Sequence, residues 1–223
     1  SLIVTGTMYF SNNNSNSTTY KCNWIVNGLL RVSEISAGAS ANVNSGSSLT
    51  VNSGGKLEIT GTNAWSSLSP TNNTFNFASG STEEYSASGP QTVRVATEFG
   101  GITAPFQYGN LIVSNSGNKT CTVAGLYVKN DLTISGSAVL IPVVSSTIFV
   151  GGSWYNWGQA GFTENLSTVR FNNASSVGQS INCPGGEVYY ILIQNSSNNI
   201  LTFNCAVTAY QAQLANANGH IDL

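Results

Sequence analysis

The chain has 223 residues and a net charge of −2, and only 7% of its residues are charged, against about 25% in an ordinary soluble domain. Its seven basic residues, Lys21, Arg31, Lys56, Arg94, Lys119, Lys129 and Arg170, stand singly; without a cationic cluster to displace counterions from phosphates, nucleic-acid binding is not expected. The longest apolar stretch, around Val139–Val144, is far shorter than the roughly 20 residues of a spanning helix, so no membrane span is expected. Hydrophobic residues still make up 41%, with nine Phe, nine Tyr and four Trp to bury, while the polar part is Ser, Thr, Asn and Gly. Those types favour strands and tight turns over helix.

In chain order, Ser11–Thr19 reads as a polar loop. Ala41-Asn-Val43, Leu49-Thr-Val51 and Leu57-Glu-Ile59 then follow one another at about eight residues, separated by Asn44-Ser-Gly46 and Asn52-Ser-Gly-Gly55. Each alternates apolar and polar as a half-buried strand does. Asn63–Asn76 is irregular. Beyond it, Ser81–Gly136 and Ser167–Gly219 share an order of landmarks: Ser-Thr-Glu-Glu-Tyr85 with Ser-Thr-Val-Arg-Phe171, Gln91-Thr-Val with Gln179-Ser-Ile, and Leu111-Ile-Val-Ser-Asn115 with Ile191-Leu-Ile-Gln-Asn195. Inside the first unit, Leu126-Tyr-Val128 and Leu132-Thr-Ile134 repeat the alternation.

Short strands at even spacing fit hairpins of a β-sandwich or successive sides of a β-helix. The near-identity of successive turns favours the β-helix, because stacked coils place equivalent turns and equivalent apolar residues above one another. The predicted fold is thus all-β, a parallel β-solenoid with an irregular N-terminal part, with β-sandwich units as the alternative. Residues 1–80 form N-terminal coils with polar loops, 81–166 a first repeat unit and 167–223 a second, shortened one, in one continuous solenoid. The chain begins at Ser1 without a signal-peptide pattern and ends inside what reads as another repeat, as expected of a mature or excised piece of a longer protein.

The series Gly152-Ser-Trp154-Tyr-Asn156-Trp-Gly158, Phe162-Thr163, Thr168-Val-Arg-Phe171-Asn172, Gln179-Ser-Ile181 and Tyr190-Ile-Leu192-Ile193-Gln-Asn195 resembles the repeat of large secreted surface proteins from Bacteroidota. Tyr85–Gly136 is similar to the same repeat, so the likeness covers roughly residues 80–223. It implies a right-handed parallel solenoid at the bacterial cell surface, exported by the type IX system and linked to adhesion or gliding. The chain departs from the pattern at Asn173, where Gly is usual, in longer loops at Thr97–Gln107 and Cys183–Glu187, and in carrying no terminal sorting domain.

Candidate chemistry is sparse. The acidic residues are Asp131, Asp222 and Glu at 34, 58, 83, 84, 98, 164 and 187. Glu83-Glu84 in a strand would point to opposite faces, one of them inward, so the pair is read as an edge, a bulge or a loop and not as a catalytic couple. His220, the one histidine, is read as an exposed turn residue, and Gly100-Gly101 and Gly151-Gly152 lack the helix and Lys of a phosphate loop. Cys22, Cys121, Cys183 and Cys205 show no metal-ligand spacing. Disulfides among them, with pairing unspecified, and buried free thiols both remain open. No metal or cofactor is expected.

Trp154 is read as a core residue, which by alternation leaves Tyr155 and Trp157 outward. Flat aromatics stack on sugar rings, and Asn156 and Gln159 supply groups that bind hydroxyls. Packing under a loop is the competing reading. The expectation is a non-enzymatic, extracellular or cell-surface structural or adhesive segment. Its partners would be surface glycans, other cell-surface proteins or further repeats of the same polypeptide. A carbohydrate-binding module is the alternative, and a polysaccharide lyase or glycoside hydrolase the more remote one.

Overall fold

The computed structural model describes residues 2–9, 23–36, 48–66, 74–95, 107–122, 124–158, 161–172, 178–194, 200–215 and 220–222. Among them there is no helix, and the strands stack in parallel as a β-solenoid of about seven turns. Each coil lays one strand on each of several long sheets. The largest sheet has eleven strands: ten run in order from Leu2–Tyr9 through Leu29–Ser36, Lys56–Ile59, Thr82–Tyr85, Asn110–Val113, Leu132–Ile134, Trp154–Asn156, Gln179–Asn182 and Ile200–Phe203 to His220–Asp222, and Trp65–Ser66 pairs with Leu29–Ser36 off this path. A six-stranded sheet from Gln107–Tyr108 to Val207–Leu214 and a four-stranded sheet from Gln91–Val93 to Gly161–Phe162 form the other sides. For the first coils a three-stranded sheet, Asn23–Val26, Ser48–Val51 and Thr74–Phe77, takes the place of the six-stranded one. Phe77 stacks on Tyr108 where the two meet, at 5.8 Å between ring centroids.

The alternation in the sequence becomes two inward columns on the large sheet. Leu30, Leu57, Glu83, Leu111, Leu132, Trp154, Ile181 and Phe203 stand in register, as do Val32, Ile59, Tyr85, Val113, Ile134 and Asn156. All but Phe203 are buried. Burying an aliphatic side chain of this size contributes about 1.5–3 kcal/mol, so the apolar members carry most of the wall's stability. Among the described residues the antiparallel hairpins of a sandwich do not form: every pairing from Leu2↔Leu30 to Thr202↔Asp222 is parallel, and ladders run across residues 80–81 and 166–167.

The two stretches with shared landmarks fall on different sides. Thr82–Tyr85 lies in the large sheet and Thr168–Phe171 in the six-stranded one; Gln91 lies in the four-stranded sheet and Gln179 in the large one. The structural period is therefore the coil, which advances 21 residues from Leu111 to Leu132 and 27 from Trp154 to Ile181.

At the corners buried side chains add donors to backbone carbonyls, beside the amides that Ser86 and Asn172 already give to Ile59 and Val150. Gln91 Nε2 donates to the carbonyls of Ile59 and Gly61 at 3.0 and 2.9 Å. Gln179 Nε2 does the same to Val150 and Gly152 at 3.1 and 2.9 Å. Lys119, in register with Gln91, repeats the arrangement with its ammonium on Ala87 and Gly89 at 2.7 and 3.0 Å. Lys119 is fully buried, and desolvation pushes its pKa down to about 8. Close stacking also fixes Gly151, where a Cβ would lie 2.0 Å from the Lys129 carbonyl oxygen.

Replacing the corner amide by an apolar side chain of similar size, Gln179→Leu, takes this donor from the part-buried Gly152 carbonyl, while Val150 keeps the bond from the Asn172 amide at 2.9 Å. At about 1–3 kcal/mol for an orphaned group, chemical denaturation should show a loss of about 1–3 kcal/mol. Lys119→Gln keeps both bonds at its own corner without burying a charge, and should leave stability at neutral pH unchanged or raised.

Candidate functional site

The outer face of the solenoid is built from the residues that alternate with the buried columns. Tyr155 is half-buried and Trp157 is 54% exposed. Their rings stack with centroids 5.8 Å apart and planes 24° from parallel. The pair projects from the large sheet because Trp154 and Asn156 take the inward positions of the same strand. This places Tyr155 and Trp157 outward, as alternation predicts.

Asn156 is different. It is buried, donating to Glu187 Oε2 at 2.8 Å and accepting from the Gly158 amide at 3.1 Å. It is thus no partner for a ligand on the outer face, since two residues along a strand from Trp154 means the same face as Trp154. Gln159 lies outside the described residues. The polar groups flanking Tyr155 come instead from the coils on either side, where Thr133 and Asn182 are its register neighbours. Asn182 donates to Ser180 Oγ at 2.7 Å and accepts from Asn204 at 2.8 Å. Sequence spacing gives no direct sign of such neighbours, which sit 22 and 27 residues away.

A second outward column crosses the six-stranded sheet. Gln107, Tyr127, Phe149 and Arg170 stand in register. Tyr127 and Phe149 stack at 4.3 Å, with the Arg170 guanidinium 5.7 Å from the Phe149 centroid. Beside them an open groove of about 160 Å³ is lined by Gln107, Tyr127, Lys129, Phe149, Gly151 and Asn172 among others, with no carboxylate among its lining residues. The Lys129 ammonium bonds the carbonyl of Phe77.

The carboxylates are used elsewhere. Glu58 and Glu84 are register partners on neighbouring strands, facing outward. Arg31 holds Glu58 at 2.9 Å, Lys56 holds Glu84 at 2.5 Å, and Ser86 and Ser114 donate to them. Asp131 accepts from the Ser153 amide at 2.7 Å. Glu83 and Glu84 do occupy a strand, contrary to the reading of the pair as an edge, bulge or loop, and they face opposite sides. Glu83 points into the apolar column, where it is tolerated because the Gly109 amide donates to it at 2.9 Å and Ser81 Oγ lies 2.6 Å away. Ser81 Oγ also sits 2.8 Å from the Ala78 carbonyl. One hydroxyl hydrogen cannot serve both acceptors, so a protonated Glu83 that donates to Ser81 completes the chain. Burial pushes the Glu83 pKa up to about 7, against the opposing pull of Ser81, the Gly109 amide and Lys129.

A second interior acid, Glu187, accepts from Trp154 Nε1 at 3.1 Å as well as from Asn156. Desolvation raises its pKa too. Cys121, Cys183 and Cys205 are free thiols, Cys121 and Cys183 being buried; Cys22 lies outside the described residues. The backbone of His220 belongs to the strand His220–Asp222 and not to a turn. Among the described residues no group of three His, Cys, Asp or Glu side chains is placed to hold a metal ion.

No family model, curated protein or solved structure matches the chain.

Glu83 binds its proton more tightly in the fold than in the unfolded chain, where its value is the ordinary 4.5. The stabilisation this gives is complete below about pH 4.5 and is lost as the pH rises through about 7, an effect of about 3 kcal/mol. Glu83→Gln keeps an acceptor for Gly109 and a donor for Ser81. Denaturation midpoints measured from pH 4.5 to 8 should fall less in that variant than in the parent chain.

Proposed function

We propose that this chain is a non-enzymatic structural or adhesive segment of an extracellular or cell-surface protein, a rod of stacked coils that holds its outer faces towards surfaces or partners. One observation carries the reading. The carboxylates that stacking brings together, Glu58 and Glu84, are each tied to a cation in the wall, while Glu83 and Glu187 are committed to the interior. What remains outward at Tyr155 and along the Tyr127 column is aromatic and neutral polar, apart from Arg170 and Lys129, a surface suited to contact more than to acid–base chemistry. The resemblance of residues 80–223 to Bacteroidota surface-protein repeats supports the same assignment and an extracellular location.

The stacked, exposed pair Tyr155–Trp157 favours a more specific form of this reading, attachment through carbohydrate. Two near-parallel rings offer an aromatic face to the apolar side of a sugar, and Thr133 and Asn182 flank Tyr155 with hydroxyl and amide groups. Other cell-surface proteins are the alternative partners.

A glycan array probed with the purified chain and with a Tyr155→Ala/Trp157→Ala double variant tests both statements. Selective binding should appear with the parent and weaken roughly 5- to 150-fold in the variant, as expected from losing about 1–3 kcal/mol of ring contact, with the circular dichroism spectrum unchanged. A blank array leaves the rod as a spacer. Turnover of any polysaccharide in a panel, abolished by Glu58→Gln or Glu84→Gln, would overturn the non-enzymatic reading.

A further inference from the structure

We propose that Cys183 and Cys205 form a cross-linking site, joining two successive coils through a disulfide made by exchange with a disulfide oxidant. The register of the large sheet sets the pair face to face. Gln179, Ser180 and Ile181 stand opposite Leu201, Thr202 and Phe203. The Asn204 amide continues that ladder by donating to the Ile181 carbonyl at 2.9 Å, and the side chains of Asn204 and Asn182 bond at 2.8 Å. One residue further along the same register, Cys183 stands opposite Cys205. Neighbouring strands lie about 4.7–4.9 Å apart, inside the roughly 4.4–6.8 Å between Cα atoms that a disulfide spans. Cys205 Sγ reaches the Ile181 carbonyl at 3.7 Å and thus points back along the coil that carries Cys183.

The two thiols differ in a way that orders the steps. Cys205 is half-exposed, whereas Cys183 is 1% exposed, so an oxidant in solution meets Cys205 first. The Cys205 thiolate attacks one sulfur of the oxidant, and the other sulfur leaves as a thiol, giving a mixed disulfide. Cys183 then attacks the Cys205 sulfur and expels the second half of the oxidant as a thiol. Its proton goes to Glu187, whose Oε2 lies 3.9 Å from Cys183 Sγ. Two thiols of the protein lose two electrons and two protons, and the oxidant gains both. Burial and the neighbouring Glu187 raise the Cys183 pKa well above its ordinary value, so the second step depends on that acceptor. Cys121 takes no part, being buried on the four-stranded sheet in register with Val93.

The test treats the purified chain with oxidised glutathione at mildly alkaline pH, blocks remaining thiols with an alkylating reagent and maps peptides without reduction. Peptides carrying Cys183 and Cys205 should appear joined and lighter by two hydrogens, with alkylation of both lost together and Cys121 still alkylated in the unfolded digest. Cys183→Ala should stop at the glutathione adduct of Cys205, and Glu187→Gln should accumulate that adduct before slow closure. A parent chain in which both cysteines remain alkylated, in which Cys205 keeps its glutathione, or in which either pairs elsewhere would overturn the proposal. The parent measurement stands by itself should a variant fail to fold.

Discussion

Every coil of this chain is satisfied by the coil before it and the coil after it. Strands with no hairpin partner must send their amides and carbonyls along the solenoid axis, and the side chains follow at the same spacing. Like then stands over like, and that condition accounts for the composition. A charge repeated in register would face its own sign about 5 Å away, which destabilises. Where it happens, at Glu58 and Glu84, Arg31 and Lys56 offset it. Ser, Thr and Asn carry no such cost and bond across coils, as Asn52 does to Asn27 at 2.7 Å and Asn204 to Asn182 at 2.8 Å. A charged fraction of 7% follows from stacking without any appeal to a membrane.

The interior obeys the same condition in reverse. An apolar column tolerates a polar member only when adjoining coils complete its bonds. Glu83 depends on Gly109, 26 residues away; Glu187 depends on Trp154 and Asn156, more than 30 residues back. Tyr85 and Tyr108 solve the problem as a closed ring. The Arg94 amide donates to Tyr85, and Tyr108 donates to the Arg94 carbonyl at 2.6 Å, so the 2.7 Å bond between the hydroxyls runs from Tyr85 to Tyr108. Each group fits one register only. A slip in the pairing between coils would part Glu83 from the Gly109 amide that the next coil supplies, which makes these residues markers of alignment as well as costs.

What was legible in the sequence was period two and the turns. Leu49-Thr-Val51, Leu57-Glu-Ile59, Leu126-Tyr-Val128 and Leu132-Thr-Ile134 are strands with the expected apolar residues buried. The Asn52–Gly55 turn closes with Gly54 at φ 79° and a Gly55-to-Asn52 bond of 2.8 Å. The outward placement of Tyr155 and Trp157 came from the same rule. That rule also puts Asn156 inward with Trp154, so counting Asn156 as a sugar ligand let residue type override position. Glu83 was not legible for a different reason. Its tolerance rests on a glycine amide in the next coil, and pairings between residues 20 to 30 apart leave no local trace.

The separation of faces has a consequence for how such a chain acquires a binding surface. Core and surface residues alternate along each strand, so an outward column can change with the inward column intact. A surface such as Thr133–Tyr155–Asn182 takes one residue from each of three coils, and no single coil contains it. Its geometry is fixed by the ladder spacing, and its chemistry is set by residues that the core does not constrain. Among the described residues, the exposed Trp157 beside it meets the ring of Tyr155 and donates its backbone amide to Ile134. A large apolar ring left 54% exposed and stacked on a second ring is a feature that stacking of coils alone does not require, and it is where recognition should be sought.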